Sequence, residues 1–280
     1  MSDSGNPELP IEIHRPVTWP GQSAIQCLAP GCPLDESQLR RCFDHGAVWW
    51  QTGGRPKRLR NPEQPVKPGH QLHLYCNDRT LADCPHTPGL VADFVRYSAW
   101  DKPAGMFSQG SKWGDHWTLQ RWVQTRVWPE REALSVHRLD RYTRGLMLVA
   151  HDAEANAALH RLFERGEVRK TYRARVLGEM TPGEEIRIDQ PIDGRPAVSL
   201  LRVLDSGNGF SRVEIRPQTG RKHQIRRHLA ELGHPVVNDR QHGKPPFDGD
   251  LQLEAVALSF RDPFDREPRQ LDLTESRTPT

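Results

Sequence analysis

The chain has 280 residues, which is enough for one large and one small domain, each with its own core. Its 39 Lys and Arg residues nearly balance 36 Asp and Glu residues, so the net charge of +3 indicates no particular partner and only the distribution of charge is informative. No apolar run approaches the roughly 18 residues that span a bilayer and the N-terminus is polar, so we expect a cytoplasmic protein outside the membrane.

The N-terminal third predicts an irregular lead-in, residues 1–33, which is either loosely ordered or an edge segment packed on another element. A small basic module, residues 34–88, follows it. Within the module we expect a helix over 36–45 that Asp35 caps, then strands over 47–51 and 71–75. A basic loop joins these strands, and residues 77–90 form a linker. The loop contains Arg55, Lys57, Arg58 and Arg60. Five cysteines in this third, an odd number at irregular spacing, indicate reduced thiols, with neither a disulfide framework nor a zinc site.

Residues 89–280 predict a larger, β-rich α+β domain. Its apolar spacing predicts helices over 155–165 and 223–232, each ended by a glycine. Strict alternation predicts a strand over 168–176, in which Tyr172 shares a face with Ala174 and Val176. Further strands are expected over 200–204, 211–216 and 256–260.

Residues 136–150 contain an unusual acidic residue, Asp140, in a polar loop among Arg138, Arg141 and Arg144. Neighbouring cations keep such a carboxylate ionised and attract phosphate. On charge pattern alone, a loop aspartate that only forms salt bridges explains the motif equally simply. Both interpretations stay open at this point.

Residues 216–230 form a cationic cluster with five Lys or Arg, two His and no acidic residue. A Thr219-Gly220 corner begins the predicted helix, and a helix N-terminus of this charge suits phosphate or a buried carboxylate. A solvated basic face accounts for Arg221, Lys222 and Arg227. Arg226 lies at the margin of the apolar stripe, where a guanidinium needs an anionic partner or a route to solvent.

Three motifs in fixed order resemble RluA-type RNA pseudouridine synthases. The first is His137-Arg138-Leu139-Asp140 followed by Thr143 and Gly145, the second is Lys170-Thr171-Tyr172-Arg173-Ala174, and the third runs from Thr219 to His228. The ordered match extends from Lys102 to the region of Phe260. Three motifs in order are far more specific than one.

The resemblance implies a mixed, mainly antiparallel sheet with flanking helices, and a cofactor-free monomer that isomerises uridine in structured ribosomal or transfer RNA. By resemblance Asp140 is the nucleophile, Tyr172 stacks on the target base, Arg226 pairs with Asp140, and Arg138 enters the RNA stack. These types suit the chemistry, which needs an ionised carboxylate and a pocket for an extruded base. Further expected RNA contacts are Arg141, Arg144, Arg221, Lys222, His223, Arg227, Arg55, Lys57 and Arg58.

Three residues depart from the family pattern: Arg144 replaces Ser, Asn238 replaces Gly, and Glu254 replaces His. None of these changes affects Asp140 or Tyr172. The basic module is similar to an RNA-binding module named from a ribosomal protein, and an unrelated basic mini-domain is the alternative.

Two other function classes are alternatives to a uridine isomerase. A non-catalytic RNA-binding or RNA-folding protein could keep the same scaffold, but it would be free to lose the aspartate, and Asp140, Tyr172 and Arg226 are all present. A glycosidase needs a second catalytic carboxylate at a partnered position. The sequence around Asp140 offers cations and no such acidic partner.

Overall fold

The computed structural model describes residues 9–274, and these form two compact units. The first unit contains the residues up to 85 together with the separate segment 109–122. The second contains residues 86–108 and the chain from 123 onward. Among residues 9–274, no helix combines the length and the apolar character needed to cross a membrane.

The first unit is a four-stranded antiparallel sheet in the order β1-β4-β2-β3, with three short helices. Its elements are β1 (Ile11–Pro16), α1 (Ala24–Leu28), α2 (Glu36–Asp44), β2 (Val48–Gln51), β3 (Lys57–Arg58), β4 (Gln71–Cys76) and α3 (Asp78–Leu81). The predicted N-cap of α2 is confirmed, because Asp35 Oδ1 accepts a hydrogen bond from Gln38 N at 2.8 Å. Leu39 and Phe43 on α2 pack with Leu72 and Leu74 on β4 in the core of this unit.

Residues 11–28 form an edge strand and a short helix, which is the packed edge segment that was one of the two expectations for the lead-in, while residues 1–8 lie outside the described part. Strand β1 pairs with β4 along its whole length, and Ser23 with Gln26 forms a capping box at α1. A short edge strand with one buried face gives too little periodicity to stand out among the surrounding prolines and glycines. Residues 109–122 depart from expectation, since they belong to the first unit and not to the larger domain.

The second unit contains the remaining helices and strands. They are β5 (Gly89–Asp93), β6 (Tyr97–Lys102), α4 (Leu119–Arg126), which begins in the first unit, β7 (Leu134–Ser135), β8 (Arg144–Ala150), α5 (Ala153–Glu164), β9 (Arg169–Leu177), β10 (Glu185–Ile188), β11 (Ser199–Gly207), β12 (Phe210–Pro217), α6 (Gln224–Glu231), β13 (Leu253–Arg261) and β14 (Pro268–Asp272). The predicted helices and strands of this domain are all confirmed, and their observed first and last residues differ from the predicted ones by one to three positions.

These strands form one mixed sheet in the order β10-β11-β12-β9-β13-β8-β6-β5, with β14 on β13 and β7 on β8. Among the described strands, β13 and β8 are parallel and the other pairs are antiparallel. Helix α5 packs on a core that includes β6 and β8, and α6 packs on a second core that includes β9 and β12. The expected mainly antiparallel α+β fold is therefore confirmed.

The centre of this sheet positions the loop before β8. Residues Ala255 and Gly145 are paired across the parallel strands β13 and β8, and Ala255 is also opposite Tyr172 on β9. Gly145 has a φ of +112°, and a Cβ there would lie 2.2 Å from the carbonyl oxygen of Ala255. Glycine is required at this point because the backbones of β8 and β13 come too close for any side chain.

Candidate active site

The loop that carries Asp140, residues 137–143, is fixed by hydrogen bonds to a neighbouring segment. Ser108 Oγ donates to the carbonyl of Leu139 at 2.7 Å and accepts from the Leu139 amide at 2.9 Å. Within the loop, the Thr143 amide donates to the carbonyl of Asp140 at 3.1 Å. A loop with its backbone groups satisfied in this way holds its side chains in defined positions.

Lys102, which was not predicted as a site residue, also binds backbone groups of this loop and of the segment before it. Its side chain is completely buried, and Nζ donates to the carbonyls of Pro103 (3.1 Å), Met106 (2.9 Å) and Arg141 (3.3 Å). Burial lowers the pKa of Lys102 to about 7, against the opposing effect of the Asp140 carboxylate. The available sequence signal was its place at the start of the ordered family match.

The carboxylate of Asp140 is paired with Arg226, as the resemblance implied. Arg226 Nη1 lies 3.2 Å from Asp140 Oδ2, and only 8% of the Arg226 side chain is exposed, compared with 22% for Asp140. The Arg226 guanidinium is therefore buried, whereas the Asp140 carboxylate is partly open to solvent and can be reached by a substrate. The structure brings together two residues that are 86 positions apart.

Asp239 is the second partner of Arg226, and the sequence did not identify it. Its fully buried side chain accepts two hydrogen bonds of 2.7 Å from Nε and Nη2 of Arg226, and two of 3.0 Å from the amides of Gln241 and His242. Burial alone would raise the pKa of Asp239, but these hydrogen bonds outweigh it and the pKa is lowered. The anionic partner expected for a guanidinium beside the apolar stripe is thus present. The sequence signal for Asp239 was its position directly after Asn238, one of the three departures from the family pattern.

Tyr172 lies on β9 with its side chain on the face shared by Ala174 and Val176, as the alternation predicted. Burial raises the pKa of Tyr172, and the negative charge of Asp140 raises it further. The phenol therefore stays neutral at ordinary pH. A neutral aromatic ring in electrostatic reach of the carboxylate is suited to stacking on a base.

His223, expected among the RNA contacts, lies next to Asp140. It occupies the N-cap of α6 with a left-handed backbone, φ 54°, and its Nε2 is 3.8 Å from Asp140 Oδ1. Its other ring nitrogen, Nδ1, lies 2.9 Å from Nε2 of His242. No sequence pattern pointed to His242, which lies in a loop without periodicity.

The arginines around Asp140 differ in how far they are engaged. Arg138 is exposed, whereas Arg141 Nε donates to the carbonyl of Gly105 at 3.2 Å. Arg144 Nη2 forms an ion pair of 3.2 Å with Glu254 Oε2, so two departures from the family pattern are partners of each other.

The expected RNA contacts on and near α6 are partly engaged as well. Arg221 Nε donates to the carbonyl of Pro196 at 3.0 Å, and Arg227 pairs with Asp193 at 2.9 Å. Lys222 is exposed. The surface near Asp140 thus combines exposed cations with cations that already have protein partners.

In the first unit, Arg58, one of the expected RNA contacts, is engaged by groups of the protein itself. Its guanidinium donates to the carbonyls of Gly46 and Ser111 and lies 3.3 Å from Asp115, which also pairs with Arg60 at 2.5 Å. These contacts attach the segment 109–122 to the rest of the unit. Sequence reasoning could not find this role, because the partner carboxylate lies more than fifty positions away in another segment. Arg55 and Lys57 are exposed, as expected for a basic loop.

Comparison with known proteins agrees with this geometry. The family described as RNA pseudouridylate synthase matches residues 96–231. A protein of Chloroflexus aurantiacus named as an uncharacterized RNA pseudouridine synthase is 32% identical, over 87% of this chain and 83% of that protein. The chain belongs to the RNA pseudouridine synthase family.

Two further comparisons define the relationship. The dual-specificity RNA pseudouridine synthase RluA of Escherichia coli is 34% identical over 52% of this chain and 72% of that protein. The structure of human RNA pseudouridylate synthase domain containing 1 aligns with a TM-score of 0.57 and 26% identity, covering 69% of this chain and 84% of the human one. The expected RluA type is confirmed, and the chain is an RNA pseudouridine synthase that isomerises uridine to pseudouridine.

Proposed function

We propose that Asp140 is the nucleophile of this isomerisation and that Arg226 is the cation that pairs with it and orients it. The observation that carries the proposal is the shared guanidinium, since buried Arg226 binds Asp239 at 2.7 Å and still reaches Asp140 at 3.2 Å. Asp239 fixes the guanidinium plane, which leaves Nη1 directed at Asp140. A preorganised cation of this kind stabilises an ionised carboxylate that solvent only partly covers.

The reaction needs few other groups from the protein. The bond between N1 of the base and C1′ of the ribose breaks, the base turns, and a bond forms between C5 and C1′ while C5 loses a proton and N1 gains one. Atoms are conserved, so no group or electron donor is required. A carboxylate that attacks the sugar and later leaves divides this exchange into two steps.

We further propose that Tyr172 stacks on the extruded uracil and that Arg138 occupies the gap left in the RNA. Extruding a base costs a few kcal/mol, which an aromatic stack and an arginine inserted in the RNA offset. The exposed position of Arg138, two residues from Asp140, supports this role. The neutral phenol of Tyr172 supports stacking without repulsion by the carboxylate.

Replacing Asp140 with Asn tests the assignment of the nucleophile. Pseudouridine formation is expected to disappear while RNA affinity changes by only a few-fold, because an amide keeps the shape but cannot attack. Turnover and binding are measured side by side, with Asp205→Asn as the control, since Asp205 forms a surface ion pair with exposed Arg212. Turnover by the Asp140→Asn protein would remove Asp140 as the nucleophile.

For the first unit we propose a targeting role toward structured ribosomal or transfer RNA, through the exposed cations Arg55 and Lys57. Replacing both with Gln is expected to reduce the salt slope of RNA binding by about one per cation while leaving turnover at saturating RNA nearly unchanged. The matched variant Arg58→Gln is expected to lower the melting temperature, because it loses its contacts with Asp115 and the carbonyl of Gly46. An unchanged slope in the double Gln variant would refute targeting by this loop. Mapping pseudouridines in cells with and without the gene identifies the RNA.

A further inference from the structure

Two histidines lie beside Asp140 and have no part in the chemistry described so far. His223 Nδ1 lies 2.9 Å from His242 Nε2, and the two rings meet edge to face with centroids 5.2 Å apart. His223 Nε2 lies 3.8 Å from Asp140 Oδ1, which is an electrostatic contact longer than a hydrogen bond. The three side chains therefore form a line from His242 through His223 to Asp140.

Backbone contacts hold both histidines in place. His223 occupies the N-cap of α6 in a left-handed conformation, and its carbonyl accepts the amide of Arg227 at 2.9 Å. The His242 amide donates to Asp239 Oδ1 at 3.0 Å, and this same carboxylate fixes Arg226. The line of histidines is thus attached to the elements that organise the Arg226 guanidinium.

The contact between the rings selects one tautomer of His223. Between two neutral imidazoles one nitrogen donates and the other accepts. If His223 Nδ1 carried the hydrogen, its Nε2 lone pair would face the negative Asp140 carboxylate, which is repulsive. If His242 Nε2–H donates, His223 carries its hydrogen on Nε2 and directs a donor at Asp140 Oδ1. Electrostatics favours the second arrangement.

Both oxygens of the nucleophilic carboxylate are then faced by donors. Arg226 Nη1 lies 3.2 Å from Oδ2, and His223 Nε2 faces Oδ1 from the other side. Held from two sides, the carboxylate cannot rotate freely about its Cβ–Cγ bond. Fixing the attacking atom is a large source of rate enhancement in enzymes.

We propose that His223 is a positioning residue for Asp140. The hydrogen bond from His242 holds His223 in the Nε2–H tautomer that this role requires. The inference rests on the proposed role of Asp140 as nucleophile. It assigns a function to His242, which lies outside the three family motifs.

The charged groups around His223 keep it neutral near pH 7. Burial lowers its pKa first of all, Asp140 opposes this, and Arg226, His242 and Lys222 lower the pKa further, so the net shift is downward. A neutral His223 is the form that can accept a hydrogen bond on Nδ1.

His242 is kept neutral by a similar environment. Burial and then Arg226 lower its pKa, Asp239 and Asp140 oppose them, and Arg227 adds to the lowering. At acid pH, protonation of His223 would place a hydrogen on Nδ1, where the His242 donor lies. The contact between the two rings is therefore lost as the pH falls, whereas His223 Nε2–H still faces Asp140.

The pH profile of kcat distinguishes positioning from a merely structural role. In His242→Phe the donor is lost and the neutral His223 ring is no longer confined to the Nε2–H tautomer, so kcat at pH 7 is expected to fall roughly tenfold. The loss is expected to shrink at acid pH, because protonated His223 again carries a hydrogen on Nε2. The KM for RNA is expected to change by less than about twofold, since no RNA contact is removed. In His242→Gln the side-chain amide can donate to the same nitrogen, so the wild-type profile is expected to return.

Nitrogen NMR of the histidine rings gives a second measurement that does not depend on turnover. The folded wild-type protein is expected to show His223 protonated on Nε2 at pH 7, and His242→Phe is expected to show a mixture of tautomers. A wild-type His223 protonated on Nδ1 would overturn the proposal. So would equal loss of kcat in the Phe and Gln variants at every pH, with no recovery at acid pH. Absence of turnover in the wild-type protein would refute the proposed function instead, and the NMR result would still decide the tautomer.

Discussion

The variant Arg226→Met tests how the buried guanidinium contributes to stability and to catalysis. Methionine approximates the volume of the arginine stem but carries no charge, so Asp239 is left fully buried and unpaired while Asp140 loses its partner. Breaking a buried ion pair from one side costs about 3–5 kcal/mol, because the remaining charge has no compensation. Partly exposed Arg227 on the same helix contributes no more than about 1 kcal/mol through its ion pair with Asp193.

A second substitution separates the two contributions. In the double variant Arg226→Met, Asp239→Asn, position 239 no longer carries a buried charge, so most of the lost stability is expected to return. Activity is expected to stay low, because Asp140 still lacks the cation that pairs with it and orients it. Denaturant unfolding and single-turnover kinetics on a short RNA substrate measure both quantities for the single and double variants, with Arg227→Met as the comparison. Recovery of activity together with stability in the double variant would show that Arg226 acts only through the fold.

Three other predictions concern pH, backbone space and metals. Burial lowers the pKa of His137 to about 3, and its Nε2 accepts a hydrogen bond from the Leu148 amide at 3.0 Å. The ring therefore stays neutral in the native state, whereas in the unfolded state it protonates below about pH 6.5. Stability should therefore fall with decreasing pH from 6.5 toward 3, approaching about 1.4 kcal/mol per pH unit, and His137→Gln should flatten this slope in urea titrations. Gly145→Ala should cost roughly 2–5 kcal/mol in the same assay because its Cβ meets the Ala255 carbonyl, compared with about 1–3 kcal/mol for Gly166→Ala, where nothing lies within 4 Å. Turnover on pre-folded RNA should survive exhaustive chelation, and a requirement for added zinc or magnesium in the chemical step would contradict this.

Local sequence patterns predicted the elements that carry the site. Alternation identified β9 and the face of Tyr172, and the Thr219-Gly220 corner located the start of α6, because these features depend on neighbouring residues only. The pairing of Asp140 with Arg226 followed from the family resemblance, and the apolar stripe of α6 showed only that Arg226 needed an anion. No local pattern could supply that anion, because Asp239 lies thirteen residues farther on in a loop.

The first unit shows where a sequence-based division of domains fails. Residues 109–122 are continuous with the catalytic domain in sequence, and their composition does not set them apart. They belong to the first unit because Asp115 pairs with Arg58 and Arg60 across more than fifty positions. Charge pattern alone made the same two arginines part of an RNA-binding loop. Whether a surface cation binds a polyanion or its own protein depends on long-range contacts that composition does not record.

The distribution of charge around Asp140 gives the two unusual residues a common explanation. Arg144 and Glu254 were noticed as separate departures, yet the parallel pairing of β8 with β13 places them opposite each other, and they form an ion pair of 3.2 Å. A further cation in the loop of Asp140 would compete with Arg226 for the Asp140 carboxylate, and Glu254 offers Arg144 another partner. Arg226 remains the cation closest to Asp140, while exposed Arg138 remains available to the RNA. Arg144 therefore fits this loop because the neighbouring strand carries a matching acid, Glu254.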